Sequence, residues 1–173
     1  MDFSLPQAYL IGLLVILGSA AVLVARQILR VRRDEVALIR LEGASKSGER
    51  SAADLYELAS VQLRKRLYNQ AVDNLKLASR SAASEPPEAQ ALIENALGFA
   101  LAAQSNYTAA IKHYRAALRA KPDYPVALNN LAYALEKQQK PEEARENYLK
   151  VLELDSSNGT AKKRLKRLER TAA

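Results

Sequence analysis

Apolar residues follow two different patterns along the chain, and the change of pattern marks out its elements. From about Val126 to Gln138 they fall at helical spacing, with Leu128, Leu131, Ala132 and Leu135 on one side. Gln139-Lys140-Pro141 interrupts the pattern. Pro141 suits the first turn of a new helix, and Glu142 and Glu143 suit the positive end of its dipole. Ala144, Tyr148, Val151 and Leu152 then share a face. Pro125–Asn158 is therefore predicted to be two antiparallel helices, close together where Ala132 and Ala144 are small. Tyr9–Ala25 is different: it has no charge, no polar face, and Ser19 as its only hydroxyl besides Tyr9. Counted from Leu5 the run is 21 residues, about the length that crosses a hydrocarbon core of ~30 Å. A core helix of a domain would show a polar side, so a transmembrane helix is expected. Arg26–Glu42 is amphipathic and should continue the helix into water, and Gly43–Glu49 reads as a flexible linker.

The helix pair recurs. In the preceding stretch, Ala91–Tyr124, Leu97-Gly98 stands where Leu131-Ala132 stands, Leu101 follows, and Ala110, Tyr114 and Ala117 fall in register. A looser copy occupies Ala52–Glu85, with Leu55, Leu58-Ala59, Ala71, Leu75 and Ala78, and five further residues, Pro86–Gln90, follow it. This order of apolar, small and aromatic residues, with a period of about 34 positions, resembles the tetratricopeptide repeat. The fold class expected is all-α: a transmembrane helix (1–25), a juxtamembrane helix and linker (26–51), an α-solenoid of three repeats (52–85, 91–124 and 125–158), and a basic capping helix (159–173).

Charge adds to this picture mainly at the ends. Between Ala52 and Asp155 there are 13 acidic and 13 basic side chains, so the net +7 lies outside the repeats: +2 before Ala52 and +5 after Asp155. Asp2 is the only charged side chain before the apolar run, whereas Arg26, Arg30, Arg32 and Arg33 follow it. That asymmetry favours an uncleaved anchor with its C-terminal flank on the cytoplasmic side; a cleaved signal peptide, with Ser19–Ala25 as the small-residue site, is the alternative. Thr160–Arg170 carries Ala161, Leu165 and Leu168 as a narrow apolar stripe, which fits a helix covering the last repeat's core. A nucleic-acid helix would be similarly basic, but the leucines favour the cap, and no nucleic acid is expected as a partner.

The chemistry-bearing residues are sparse. There is no Cys, which excludes disulfides, thiol catalysis and Cys-ligated metal. His113 is the single His and is expected as a solvated helix residue. No phosphate-binding glycine motif is present, and Glu142-Glu143 reads as a helix start. No enzyme, cofactor or metal is expected.

Stacked hairpins form a groove lined mainly by their first helices. Helical geometry places Tyr56, Ser60, Leu63 and Arg64, then Leu92, Asn95 and Phe99, then Asn129, Tyr133, Glu136 and Lys137 on its exposed inner face. Tyr56, Phe99 and Tyr133 are the expected anchors for a protein partner, with burial between repeats as the alternative for each. Asn95 and Asn129 are expected to bond the backbone of an extended peptide, and Arg64 and Lys137 complete the candidate site. The Lys, Arg and Asn set with which chaperone-tail-binding repeats hold a terminal carboxylate is not complete here.

The apolar run with its Arg26-Gln27 and Arg32-Arg33 flank, followed by three repeats, resembles the small thylakoid-anchored tetratricopeptide proteins of cyanobacteria and plastids that assist photosystem I assembly. The resemblance implies a non-catalytic scaffold on the cytoplasmic or stromal face, with photosystem I subunits or assembly factors as clients. The alternative is a general bacterial envelope or secretion adaptor with the same anchor and repeats.

Overall fold

A computed structural model describes residues 5–43 and 50–172, and among these every regular element is helical. They form two compact units.

The first unit is one helix, α1 (Leu5–Gly43), about 58 Å long at 1.5 Å per residue. It runs from the apolar segment through the arginine flank without a break, as the amphipathic continuation predicts. It is long and apolar enough to cross a membrane: its most apolar 18-residue window has mean hydropathy 2.1 and is wholly unburied. Ser19 donates its hydroxyl to the Val15 carbonyl at 2.7 Å, so the one serine of the run is satisfied within the helix. Residues 44–49, most of the expected linker, lie outside the described residues.

The second unit stacks three hairpins and a final helix. The hairpins are α2 (Ala52–Arg64) with α3 (Tyr68–Ser81), α4 (Pro87–Ala103) with α5 (Tyr107–Ala120), and α6 (Pro125–Lys137) with α7 (Pro141–Leu154). The last helix is α8 (Gly159–Ala172). Start signals are local. Pro87, Pro125 and Pro141 open their helices, and Asn106 caps α5 by accepting from the Ala109 amide at 3.2 Å. Ser51 and Asp54 cap α2 reciprocally. Each first helix ends in the same turn. The amides of Leu67, Asn106 and Lys140 donate to the carbonyls of Gln62, Leu101 and Leu135. The preceding residues, Arg66, Ser105 and Gln139, have φ of 60°, 63° and 59°. This left-handed C-terminal motif favours Gly, yet none of the three is one.

One core runs through all three hairpins into α8, which contributes Ala161 and Leu165. Each hairpin closes on a small residue facing a large one, and the middle hairpin is the tightest. A Cβ on Gly98 would lie 2.7 Å from two ring carbons of Tyr114, which is itself buried. Ala132 and Tyr148 hold the same register one repeat later, and Ala59 and Leu75 hold it in the first hairpin.

Two details differ from the sequence reading. The five residues set between the first two hairpins are mostly helical: Pro87–Gln90 form an added first turn of α4, which has 17 residues where α2 and α6 have 13. His113 is not a solvated residue. It is half-buried, with its Nδ1 2.7 Å from Oε2 of Glu94, which stands in the register of Leu55 and Leu128 and meets Ser79 of α3 as well as His113 of α5.

Candidate inner-face binding site

The first helices α2, α4 and α6 carry the expected inner face, and α8 extends the row. Gly159, Leu165 and Lys166 stand one full repeat after Pro125, Leu131 and Ala132. α8 is thus the first helix of a fourth unit, with no second helix following it among the described residues. It departs from the third hairpin in polarity: Lys162, Lys166 and Glu169 occupy the positions of Leu128, Ala132 and Leu135, which are buried there. The apolar stripe marks α8 as a cap; its place in the repeat register is a finer signal, carried by the spacing alone and missed in the sequence reading.

The three aromatics end up in different surroundings. Phe99 is 45 % exposed, and Leu92, about two turns earlier on α4, is 42 % exposed. Tyr56 is half-buried and packs on the core. Tyr133 is half-buried too. Tyr107 meets its ring edge-on at a centroid distance of 6.5 Å and 78°, and the Arg164 guanidinium lies 4.7 Å from its centroid. Lys137 adds its ammonium at 5.5 Å from the same ring. Arg64 is exposed and donates to the Ser60 carbonyl at 3.3 Å.

The two asparagines are joined to neighbouring repeats. Asn95 is buried. Its Oδ1 accepts from Asn130 at 3.0 Å, and its Nδ2 donates to the Tyr124 hydroxyl at 3.5 Å. Burial raises the Tyr124 phenol pKa, and the neighbouring Tyr56 adds to it, against the Asn95 hydrogen bond. Asn129 repeats the arrangement with Asn158, to whose Oδ1 it donates at 3.3 Å; Asn158 holds the register of Tyr124 in the next unit. The Oδ1 of Asn129 is buried with no partner among the described residues. The residue in Asn130's register there is Arg164, which instead covers Tyr133 and lies 3.6 Å from Glu136.

Glu136, expected on the exposed face, is instead buried at 5 % side-chain exposure. It accepts from the Tyr148 hydroxyl at 2.6 Å and pairs with Arg164 and Arg167 of α8. Two cations and a phenol from elements packed around it satisfy the carboxylate, so α8 can close over it. Burial pushes the Tyr148 phenol far up, and the hydrogen bond to the Glu136 carboxylate pushes it further.

What remains open on the inner face is an apolar pair, Leu92 and Phe99, on α4, with Arg64 exposed on α2 and Lys137 exposed on α6. Such a face can hold an extended or helical segment of another protein by an aromatic anchor and peripheral charge. The fold and this face define an array of helical hairpins of the protein-binding tetratricopeptide class. The tetratricopeptide repeat family matches residues 95–159. The first tetratricopeptide domain of Spaghetti (RPAP3), solved bound to the HSP90 peptide SRMEEVD, superposes with a TM-score of 0.66 at 21% identity, covering 70% of this chain and 93% of that one. The ycf37 protein of Guillardia theta is 30% identical over 165 residues, 95% of this chain and 93% of its own length. The chloroplastic tetratricopeptide repeat domain-containing protein PYG7 of Arabidopsis thaliana is 31% identical over 163 residues, 94% of this chain and 54% of that protein. The chain belongs to the ycf37 family.

Proposed function

We propose that this protein is a non-catalytic, membrane-tethered scaffold that assists photosystem I assembly or stability by binding client proteins on the inner face of its repeats. The observation that carries the reading is the extent of the likeness to the ycf37 relative: it runs over 95% of this chain, so it takes in most of the apolar helix as well as the repeats. A chloroplast protein among the relatives supports a thylakoid setting. In this reading α1 is an integral anchor and the repeats lie on the cytoplasmic or stromal side, as the arginines after the apolar run favour. Clients are photosystem I subunits or assembly factors. Phe99, Leu92 and the flanking Arg64 and Lys137 make the first contacts, while Tyr56, Asn95, Asn129 and Tyr133 hold the repeats in the register that presents them. No cofactor takes part.

Deletion in a phototroph that carries the protein tests this directly. Photosystem I should fall relative to photosystem II, and the protein should stay in the membrane pellet through a carbonate wash. An unchanged photosystem ratio under several light regimes would overturn the client assignment; release by carbonate would overturn the anchor.

A further inference from the structure

α8 is strongly basic, with six Lys and Arg side chains against the single acid Glu169. Gly159, Thr160, Lys163, Lys166 and Arg170, with Arg164 and Arg167, line a cleft of about 950 Å³. Register explains the shape. Lys163, Arg167 and Arg170 stand one full repeat after Asn129, Tyr133 and Glu136, so they carry the inner-face row onto α8. Lys166 stands where Ala132 meets a second helix, and here no second helix follows among the described residues. Two of the cations are already committed: Arg164 and Arg167 hold Glu136. Lys163, Lys166 and Arg170 make no ion pair among the described residues.

We infer that this cleft binds an acidic, extended segment of a protein partner, and that α8 selects partners by carboxylates at the end of the inner face. Charge complementarity points to an anionic occupant, because Glu136 answers only Arg164 and Arg167, and Lys163, Lys166 and Arg170 repel one another until a further anion enters. The rest of α8 favours peptide over other polyanions. Its apolar stripe is already covered, with Ala161 and Leu165 buried and Leu168 packed on the core. No apolar face of α8 is therefore left to insert into lipid. The helix carries no aromatic side chain, so it offers no platform on which single-stranded bases could stack. The proposal rests on the reading of this chain as a partner-binding scaffold, but not on photosystem I being the client nor on Phe99.

The test uses the full chain in neutral-lipid nanodiscs and a fluorescent 12-residue peptide of alternating Glu and Ser, with its Gln counterpart as control. Anisotropy should show binding of the Glu peptide, weakened by salt, and none of the Gln peptide. Lys163→Glu with Lys166→Glu and Arg170→Glu should reduce affinity by about tenfold or more. Lys112→Glu with Arg145→Glu and Lys150→Glu removes as much charge from exposed second-helix positions, and should change affinity by less than about twofold. Leu149→Ala, at an exposed second-helix position outside the inner face, should leave this peptide's binding intact. If melting shows that the α8 reversal has lost its fold, the Gln triple at the same three positions replaces it, with the same loss expected. Equal loss in both charge-reversal sets, or no Glu-peptide binding, would overturn the proposal. So would phosphatidylglycerol vesicles or a thymidine 20-mer binding through these three residues while the peptide does not.

Discussion

The second and third hairpins share a backbone plan yet use their polar residues differently. In α4–α5 the pair Gly98 and Tyr114 closes the hairpin, and the Tyr114 hydroxyl makes no hydrogen bond among the described residues. In α6–α7 the pair is Ala132 and Tyr148, and the Tyr148 hydroxyl is held by Glu136, which in turn holds α8. The register of Glu136 in the earlier hairpin belongs to Ala102. Apolar size complementarity thus sets where the helices meet, while the polar residues at equivalent positions are set by what packs next. Inside the array Asn95 finds partners in Asn130 and Tyr124; at the end, Asn129 finds only Asn158, because Arg164 has been diverted to Tyr133 and Glu136.

The largest break in this comparison comes at the tightest contact. Gly98→Ala should destabilise the repeats by about 1–3 kcal/mol, since the new methyl collides with a buried ring that has little room to move. Adding Tyr114→Leu recreates the Ala59 and Leu75 pairing of the first hairpin. The double variant should therefore melt higher than the sum of the two single losses allows. Thermal melting by circular dichroism on the full chain in detergent checks both, and strict additivity would contradict the size-matching account.

Next in size is the hydroxyl that only one hairpin uses. Tyr148→Phe should cost about 1–2 kcal/mol, because it takes a donor from a buried carboxylate. Tyr114→Phe should cost clearly less in the same melting experiment. Equal costs would mean that the Glu136 connection to α8 contributes little.

The middle hairpin has its own acid in Glu94. Burial raises its pKa, but the hydrogen bonds from His113 and Ser79, with the charges of His113 and Arg119, outweigh that and hold it below 4.5. A depressed folded-state pKa gives stability that is present above the unfolded value and lost as pH falls through the folded one. Denaturant midpoints of the native chain should thus drop below pH 4.5 more steeply than those of Glu94→Gln. Parallel curves would remove Glu94 as a source of the difference.

The smallest effect should have the opposite sign. Ser105→Gly should stabilise the second hairpin by about 0.5–1 kcal/mol, because a left-handed turn residue carries a steric cost that Gly escapes, less the entropy Gly loses on folding. Gln139→Gly should do the same in the third hairpin. A fall in melting temperature at either site would show that the native side chain contributes a contact there.

How much of this was legible follows from the kind of signal each feature leaves. Leu97-Gly98 and Leu131-Ala132 recur at the repeat period because close helix approach admits few residue types, so the hairpins and their partners Tyr114 and Tyr148 could be read directly. The apolar run of α1 is equally plain. Polar residues at the joints leave no such pattern. Asn95 and Asn129 sit on the face that helical geometry gives them, but whether they meet solvent or the next repeat depends on Tyr124, Asn130 and Asn158, residues contributed by the neighbouring unit. Glu136 reads as an exposed acid until Arg164 and Arg167 are brought over it from α8. His113 reads as solvated because its partner Glu94 stands at a position that the flanking repeats fill with Leu55 and Leu128, so the acid inside the hairpin leaves no repeating signal.

The central claim is that clients are taken on the first-helix face of a membrane-bound scaffold. A photo-crosslinking residue placed at Phe99, and separately at the exposed second-helix residue Leu149, tests it in the native membranes of a phototroph expressing the full chain. Irradiation should join photosystem I subunits or assembly factors to position 99 and leave position 149 without those adducts. Adducts at 149 alone, or the same proteins captured equally from both positions, would contradict the account.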